Sequence, residues 1–211
     1  MILNFGTFAI GNEKKNQMED ILHYIKANGG LVRYQDFKDQ GFQPRKIREL
    51  LDSGKIEKLK SGLYTLPDQN VHSFRIVQMA IPKSVIALIS ALAWYNLTTQ
   101  NPDQVYIAIP QSEKPPKLEW PPISVHYFSA RIYQAGIRRI QIDGHDIQIY
   151  DREKSICDMF RFRKQLGEDI ALEALTRYLN SEKRDLNKLS EMMEISRVST
   201  VMKPYVKAII V

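Results

Sequence analysis

The chain has 211 residues, with 30 Lys and Arg against 24 Asp and Glu, a formal net charge of +6 and one cysteine. Hydrophobic residues make up 44% and charged residues 26%, which excludes a disordered or collagen-like chain. The longest nearly apolar run, 85–95, is half the length that a membrane-spanning helix requires. Residues 1–30 lack a signal-peptide pattern, and a single cysteine excludes an internal disulfide and a cysteine-based zinc cluster. We therefore expect a cytoplasmic protein of one large domain or two small ones.

The sequence of the N-terminal region predicts an extension followed by a helix. Residues 1–15 lack a clear hydrophobic period, and we expect them to form an N-terminal extension. Asn16 and Glu19 resemble a capping box, so the first helix is predicted to begin there. Its apolar residues recur at helical spacing, and the Asn-Gly-Gly sequence at 28–30 is predicted to end it.

Two further helices and a β-hairpin are predicted before residue 67. A short helix fits 34–40, and a third begins at Pro44, because proline is tolerated at the first helical position. Residues 55–59 and 63–66 then form two short strands around a Gly turn. Three short helices followed by a hairpin are the layout of a winged helix-turn-helix, predicted here over 16–67.

The winged-helix layout selects a set of candidate DNA-binding residues. The third helix would leave its outer face free to enter a DNA groove, and the hairpin would meet phosphates. Gln and Arg suit base edges and Lys suits phosphates. The candidates are Tyr34, Gln43, Arg45, Lys46, Arg48, Lys58, Lys60 and Ser61.

The sequence of residues 70–211 predicts a second domain of mixed helices and strands, so the predicted fold class is α+β. A helix is predicted at 71–80, and Ser84 is expected to cap a second helix that is apolar nearly all round and therefore buried. Asp143-Gly144 is a preferred tight-turn pair between two of the strands. The predicted strands are 105–109, 123–128, 137–142 and 147–150, with three helices after residue 150.

The residues suggest no active site and no cofactor. The four histidines lack metal-ligand spacing, and Cys157 has no adjacent histidine, so we interpret it as a half-buried spectator. Four nearby carboxylates could suggest a metal-dependent nuclease, but a turn residue, a helix cap and a first-turn acid explain them better. These carboxylates are Asp143, Asp146, Asp151 and Glu153.

A second group of basic residues lies between 131 and 164, and we interpret most of it as solvated surface. Arg161, Arg163 and Lys164 cannot share one helical face, and acidic residues nearly balance the group. The alternative is a site for an acidic partner. Its candidate residues are Arg138, Arg139, Arg161 and Arg163.

Several segments, in order along the chain, resemble the AbiEi family of antitoxins. The clearest are 54–64 (GKIEKLKSGLY) within 31–67, 89–98 (ISALAWYNLT), 105–110 (VYIAIP) and 150–167. The resemblance implies a winged-helix transcriptional autorepressor that binds repeats in its own promoter. It also implies an antitoxin-type C-terminal domain that counteracts a co-encoded nucleotidyltransferase-like toxin, AbiEii, as a type IV system without a stable complex.

Two other functional hypotheses stay open. In the first, the protein is an interaction module whose C-terminal domain directly holds a toxin or another partner. In the second, which we rank last, it is a nuclease built on Asp143, Asp146 and Asp151. Neither hypothesis requires a cofactor other than the metal ion that a nuclease would need.

Overall fold

The computed structural model describes residues 7–60, 62–67, 69–118 and 120–210, and side chains from residue 17 onward. The chain divides into two compact units. The first comprises Met1–His72 with Lys117–Trp120, and the second comprises Ser73–Pro116 with Pro121–Val211. The mixed α+β class predicted from the sequence is confirmed.

Within its described residues, the first unit is a helical domain with a small antiparallel sheet in the order β1-β3-β2. Phe37 is fully buried in its core, where rings of Tyr24, Phe42 and Tyr64 surround it at centroid distances of 5.6–6.5 Å. The elements are α1 (Thr7–Ala27), β1 (Leu31–Arg33), α2 (Tyr34–Asp39), α3 (Pro44–Asp52), β2 (Glu57–Lys60) and β3 (Leu63–Thr65).

The first helix begins earlier than the sequence predicts but ends where expected. Helix α1 starts at Thr7, so the prediction that Asn16 caps it is wrong, and residues 1–6 of the predicted extension lie outside the described part. At the other end Gly30 has φ +81° and its amide donates to Ile25 O at 2.8 Å. A Cβ at Gly30 would lie 2.2 Å from Gln69 Cγ and would displace that exposed side chain, so it is the positive φ that favours glycine here.

The described part of the second unit is a mixed sheet in the order β6-β5-β4-β8-β7, with helices packed on it. Tyr106, Ala108, Phe128 and Tyr150 of the sheet join the main core with side chains from the later helices. The elements are α4 (Ser73–Ala80), β4 (Val85–Ile86), α5 (Leu88–Trp94), β5 (Val105–Pro110), β6 (Ile123–Phe128), α6 (Ala130–Gln134), β7 (Ile137–Ile142), β8 (His145–Tyr150), α7 (Arg152–Leu166), α8 (Glu168–Leu179), α9 (Leu186–Ile195) and α10 (Ser199–Ile210).

The centre of the second unit corrects one prediction. Val85 and Ile86 form the middle strand of the sheet, where Ile86 pairs with Ile107 on one side and Ile149 on the other. The prediction that Ser84 caps a helix beginning at this point is therefore wrong. A continuous apolar run fits a fully buried strand as well as a buried helix, and here it supplies first the strand β4 and then the helix α5.

The β7–β8 hairpin and the start of α7 match the sequence predictions. Asp143 and Gly144 have φ values of +51° and +76°, as a tight hairpin turn requires. Asp151 caps α7, because its Oδ1 accepts a hydrogen bond from Lys154 N at 2.9 Å. Among the described residues, no helix has both the length and the apolar content needed to span a bilayer.

Candidate nucleic-acid interface

Helix α3 presents one apolar face to the core and one polar face to solvent. Pro44 occupies its first turn, and Gln43 precedes it in an extended conformation with φ −71° and ψ 130°. Ile47 and Leu50 are buried in the first unit's core, while Gln43, Arg45 and Arg48 are exposed. The start of α3 therefore exposes one amide and two guanidinium side chains to solvent.

Lys46 does not lie on this exposed face. Only 7% of the residue is accessible to solvent, and its Nζ lies 2.6 Å from Glu49 Oε2 one turn further along α3. The prediction that Lys46 shares the outer face with Arg45 and Arg48 is therefore wrong. Its side chain is held against the domain by an ion pair within its own helix.

Charge is distributed unevenly along α3. The side chain of Arg45 is 85% exposed, and its Nε lies 3.2 Å from Glu49 Oε1. A hydrogen bond from Lys46 and the nearby positive charges hold the pKa of Glu49 below its usual value of 4.5, although burial acts in the opposite direction. Arg45 and Arg48 therefore make the first half of α3 basic, whereas Glu49 and Asp52 make the second half acidic.

The hairpin adds two further lysines. Lys58 is exposed on β2, opposite Tyr64 of β3, and the register shifts between Lys58 and Lys60. Lys60 is half-buried, and burial together with the charge of Arg33 lowers its pKa. Lys58 is thus the freer of the two side chains to approach a phosphate, and Ser61, the third hairpin candidate, lies outside the described residues.

Tyr34 begins α2 and is half-buried at the edge of the first unit's core. Its ring centroid lies 6.3 Å from that of Tyr64, and Lys38 Nζ lies 5.2 Å from it. The ring therefore connects α2 to the hairpin, and part of its surface stays accessible. The contacts of Tyr34 are therefore mostly packing contacts with the core of the first unit.

The four candidates of the second basic group belong to two different elements of the second unit. Arg138 and Arg139 are exposed on β7, where Arg139 Nη1 lies 3.8 Å from Asp146 Oδ2. On α7, Arg161 is exposed and donates to Ser196 O at 3.3 Å, whereas Arg163 is half-buried and donates to Phe160 O at 2.7 Å. Arg163 therefore makes a local contact within its own helix.

The carboxylates that could have suggested a nuclease have structural partners. Gln141 donates a hydrogen bond to Asp146 across the β7–β8 hairpin. Lys188 Nζ lies 2.7 Å from Asp151 Oδ2 and 3.0 Å from Glu153 Oε2. Among the described side chains, no three His, Cys, Asp or Glu residues are grouped so that they could hold a metal ion.

A buried ion pair in α7 was not predicted from the sequence. Lys154, which the sequence places in the surface basic group, is fully buried and lies 2.5 Å from the equally buried Asp158. The rings of Phe128 and Tyr150 lie 4.6 and 4.4 Å from its Nζ. Cys157 is also fully buried, not half-buried as expected, and burial raises the pKa of its thiol. The only sequence signal for the pair is the i, i+4 spacing of opposite charges.

Three helices, a hairpin and an exposed basic turn on the third helix define a winged helix-turn-helix protein. Residues 19–67 match the family model described as "Transcriptional regulator, AbiEi antitoxin". The resemblance to the AbiEi family of antitoxins and transcriptional regulators is thus confirmed over this domain.

A solved structure extends the likeness in fold to the second unit. The crystal structure of the RV2827C protein from Mycobacterium tuberculosis superimposes with a TM-score of 0.66 at 13% sequence identity. The match covers 92% of this chain and 80% of the other. At this identity the likeness concerns the fold alone. No curated protein sequence gives a significant match.

Proposed function

We propose that the protein binds its own promoter and represses its operon, and that it is also the antitoxin for a co-encoded nucleotidyltransferase-like toxin. The observation that carries the DNA-binding part is the exposed basic turn at the start of α3. In helix-turn-helix proteins, the N-terminal residues of the recognition helix contact base edges in the major groove. Here that end of α3 holds Gln43, Arg45 and Arg48.

The charge distribution of α3 favours insertion by its N-terminal end. Glu49 and Asp52 lie in the second half of the helix, where they would be repelled by phosphates. Arg45 and Arg48 can bind guanine through paired hydrogen bonds, and Gln43 can bind adenine in the same way. Lys58 on the hairpin supplies a charge for the phosphate backbone.

The DNA-binding part is tested with the double variant Arg45→Ala/Arg48→Ala. We expect a labelled duplex from the region upstream of the gene to bind the parent protein more tightly than a shuffled duplex. The double variant should lose at least about tenfold in affinity, because each bidentate contact is worth roughly 1–3 kcal/mol. It should also lose most of its preference for the upstream duplex over the shuffled one, because contacts to base edges carry the sequence specificity.

A matched control removes the same charge from the second unit. Lys183 and Lys203 are exposed, and Lys183→Ala/Lys203→Ala lowers the net charge equally. This control should keep its preference for the upstream duplex. Equal losses in both double variants, or no preference of the parent for the upstream duplex, would contradict the proposed interface.

The antitoxin part is tested in cells. Co-expression should restore growth in the presence of the neighbouring nucleotidyltransferase-like toxin, and a promoter–reporter fusion should be repressed by the parent protein. Arg45→Ala/Arg48→Ala should relieve the repression, because it removes the exposed cations of α3. We expect this variant still to restore growth, since the second domain is intact. Failure of the parent to restore growth would reject the antitoxin part alone.

A further inference from the structure

An apolar groove lies between α9 and α10 in the second unit. Its volume is about 260 Å³. Leu189 and Met193 form part of its buried floor, while Leu186 at the start of α9 and Ile210 at the end of α10 are 43% and 52% exposed. Large apolar side chains this exposed, side by side along a groove, are typical of a binding surface.

The spacing of the lining residues fits a third helix. On α9, Leu186, Leu189, Ser190 and Met193 recur at i, i+3, i+4 and i+7, which is two full turns on one face. On α10, residues 203, 206, 207 and 210 follow the same spacing. Two parallel stripes of this kind form the groove into which an amphipathic helix lays its apolar face.

The charged side chains at the rim of the groove indicate which kind of helix would bind there. Lys203 and Lys207 are exposed one turn apart on α10, and the described residues that line the groove include no carboxylate. Glu194, which is outside the lining, has its Oε1 3.7 Å from Lys203 Nζ. A helix that places acidic residues beside its apolar stripe would therefore complement the groove in both shape and charge.

We propose that this groove binds an acidic amphipathic helix of another protein. A second copy of this chain is disfavoured, because paired grooves would bring the lysines of both copies together. A flat membrane surface is disfavoured, because the site is concave. The proposal concerns the second unit and does not depend on DNA binding by the first.

The test uses two model peptides and a charge swap. Each peptide has about sixteen residues with leucine at helical i, i+3, i+4 and i+7 positions. One carries glutamate beside the leucines and the other carries lysine. In NMR titrations of the full chain, the glutamate peptide should change the chemical shifts of amide resonances in α9 and α10. It should bind at least about tenfold more tightly than the lysine peptide. Lys203→Glu/Lys207→Glu should reverse this preference.

A neutral variant separates the groove from general effects of charge. Leu186→Ser/Ile210→Ser should abolish binding of both peptides, leave promoter binding unchanged and remain folded, because both side chains are largely exposed. Tyr127→Ser removes a 49% exposed ring outside the groove and should bind the glutamate peptide normally.

Four outcomes would overturn the proposal. The first is equal binding of the two peptides, and the second is a preference that survives the charge swap. The third is a set of shifted amides outside α9 and α10. The fourth is occupation of the groove by a second copy or by anionic vesicles in place of the glutamate peptide.

Discussion

Lys154 Nζ lies 2.5 Å from Asp158 Oδ2, and neither side chain has any exposed surface. Ser196 Oγ lies 3.5 Å from Asp158 Oδ1, and two aromatic rings face the ammonium group. Burial raises the pKa of Asp158, and the charge of Lys154 opposes that rise. The pair therefore depends on both of its members, because either charge alone would be buried without compensation.

We predict that Asp158→Ala destabilises the second unit by about 3–5 kcal/mol, since it leaves the Lys154 ammonium buried and unpaired. Replacing both residues, as Lys154→Met/Asp158→Leu, should cost no more than about 1 kcal/mol, because well-packed apolar side chains can substitute for a buried ion pair. The measurement is urea unfolding in a Trp120→Phe background, where Trp94 is the remaining tryptophan. Equal losses in the single and double variants would contradict the prediction.

A second prediction concerns the pH dependence of stability. Burial alone would raise the pKa of Glu153, but hydrogen bonds from Tyr178 Oη and Lys188 Nζ hold it below its usual value of 4.5. The folded state therefore favours the ionised carboxylate. The resulting stabilisation is complete above pH 4.5, the unfolded value, and is lost as the pH falls through the lower folded pKa.

Tyr178→Phe removes one of these donors, which lies 2.7 Å from Glu153 Oε1. At pH 7 the variant should lose about 1.5–3 kcal/mol, the usual contribution of a hydrogen bond to a charged group. Its deficit should shrink as the pH falls below 4.5 and Glu153 becomes protonated. In the control Tyr133→Phe, the lost hydrogen bond goes to the carbonyl of Lys83, so its deficit should stay constant with pH. Parallel stability curves for Tyr178→Phe and the parent would be inconsistent with this account.

Hydrophobic patterning was sufficient to predict α3 but not which of its cations are exposed. Lys46 and Arg48 each lie about 100° around the helix from Ile47, on opposite sides. The hydrophobic pattern therefore predicts the same exposure for both residues. Tertiary packing and the ion pair with Glu49 bury Lys46 and leave Arg48 exposed. The same reasoning applies to Lys154, whose i, i+4 pairing with Asp158 is also typical of an exposed helix face.

The secondary-structure predictions failed where the conformation of a short segment depends on strands that are distant in sequence. Two residues, Val85 and Ile86, form the central strand because β5 and β8 lie on either side of them. Local propensity has no means of signalling those neighbours. The Asp143-Gly144 turn and the Asp151 cap were predicted correctly because each depends on adjacent residues, whereas the caps predicted at Asn16 and Ser84 were wrong.

A third prediction concerns Lys46 and Arg48, which lie on either side of Ile47 in α3 and differ in exposure. Arg48→Ala should weaken binding to the upstream duplex by at least about fivefold, because an exposed arginine contributes a base or phosphate contact. Lys46→Ala should weaken binding less than Arg48→Ala does, because its ammonium group pairs with Glu49 and its loss acts on the duplex only through the uncompensated charge of Glu49. Anisotropy titrations of both single variants at one salt concentration make the comparison. Equal losses would mean that Lys46 leaves Glu49 when DNA binds.

The last prediction concerns Glu49, whose carboxylate engages Arg45 at 3.2 Å and Lys46 at 2.6 Å. A carboxyl with a pKa at or below 4.5 is ionised at neutral pH, so Glu49 repels phosphates and holds Arg45 along the helix. Glu49→Gln removes the charge at nearly constant shape. We expect it to tighten binding to the upstream duplex by about threefold to tenfold at low salt, with a smaller gain at high salt.

The control for Glu49→Gln is Glu191→Gln, which removes an exposed carboxylate from α9 and should leave the affinity unchanged. In the background Arg45→Ala, Glu49→Gln should give a smaller gain than in the parent, because part of its effect comes from releasing the guanidinium group. An equal gain in both backgrounds would assign the whole effect to phosphate repulsion. A loss of affinity would mean that Glu49 holds Arg45 in the position that DNA requires.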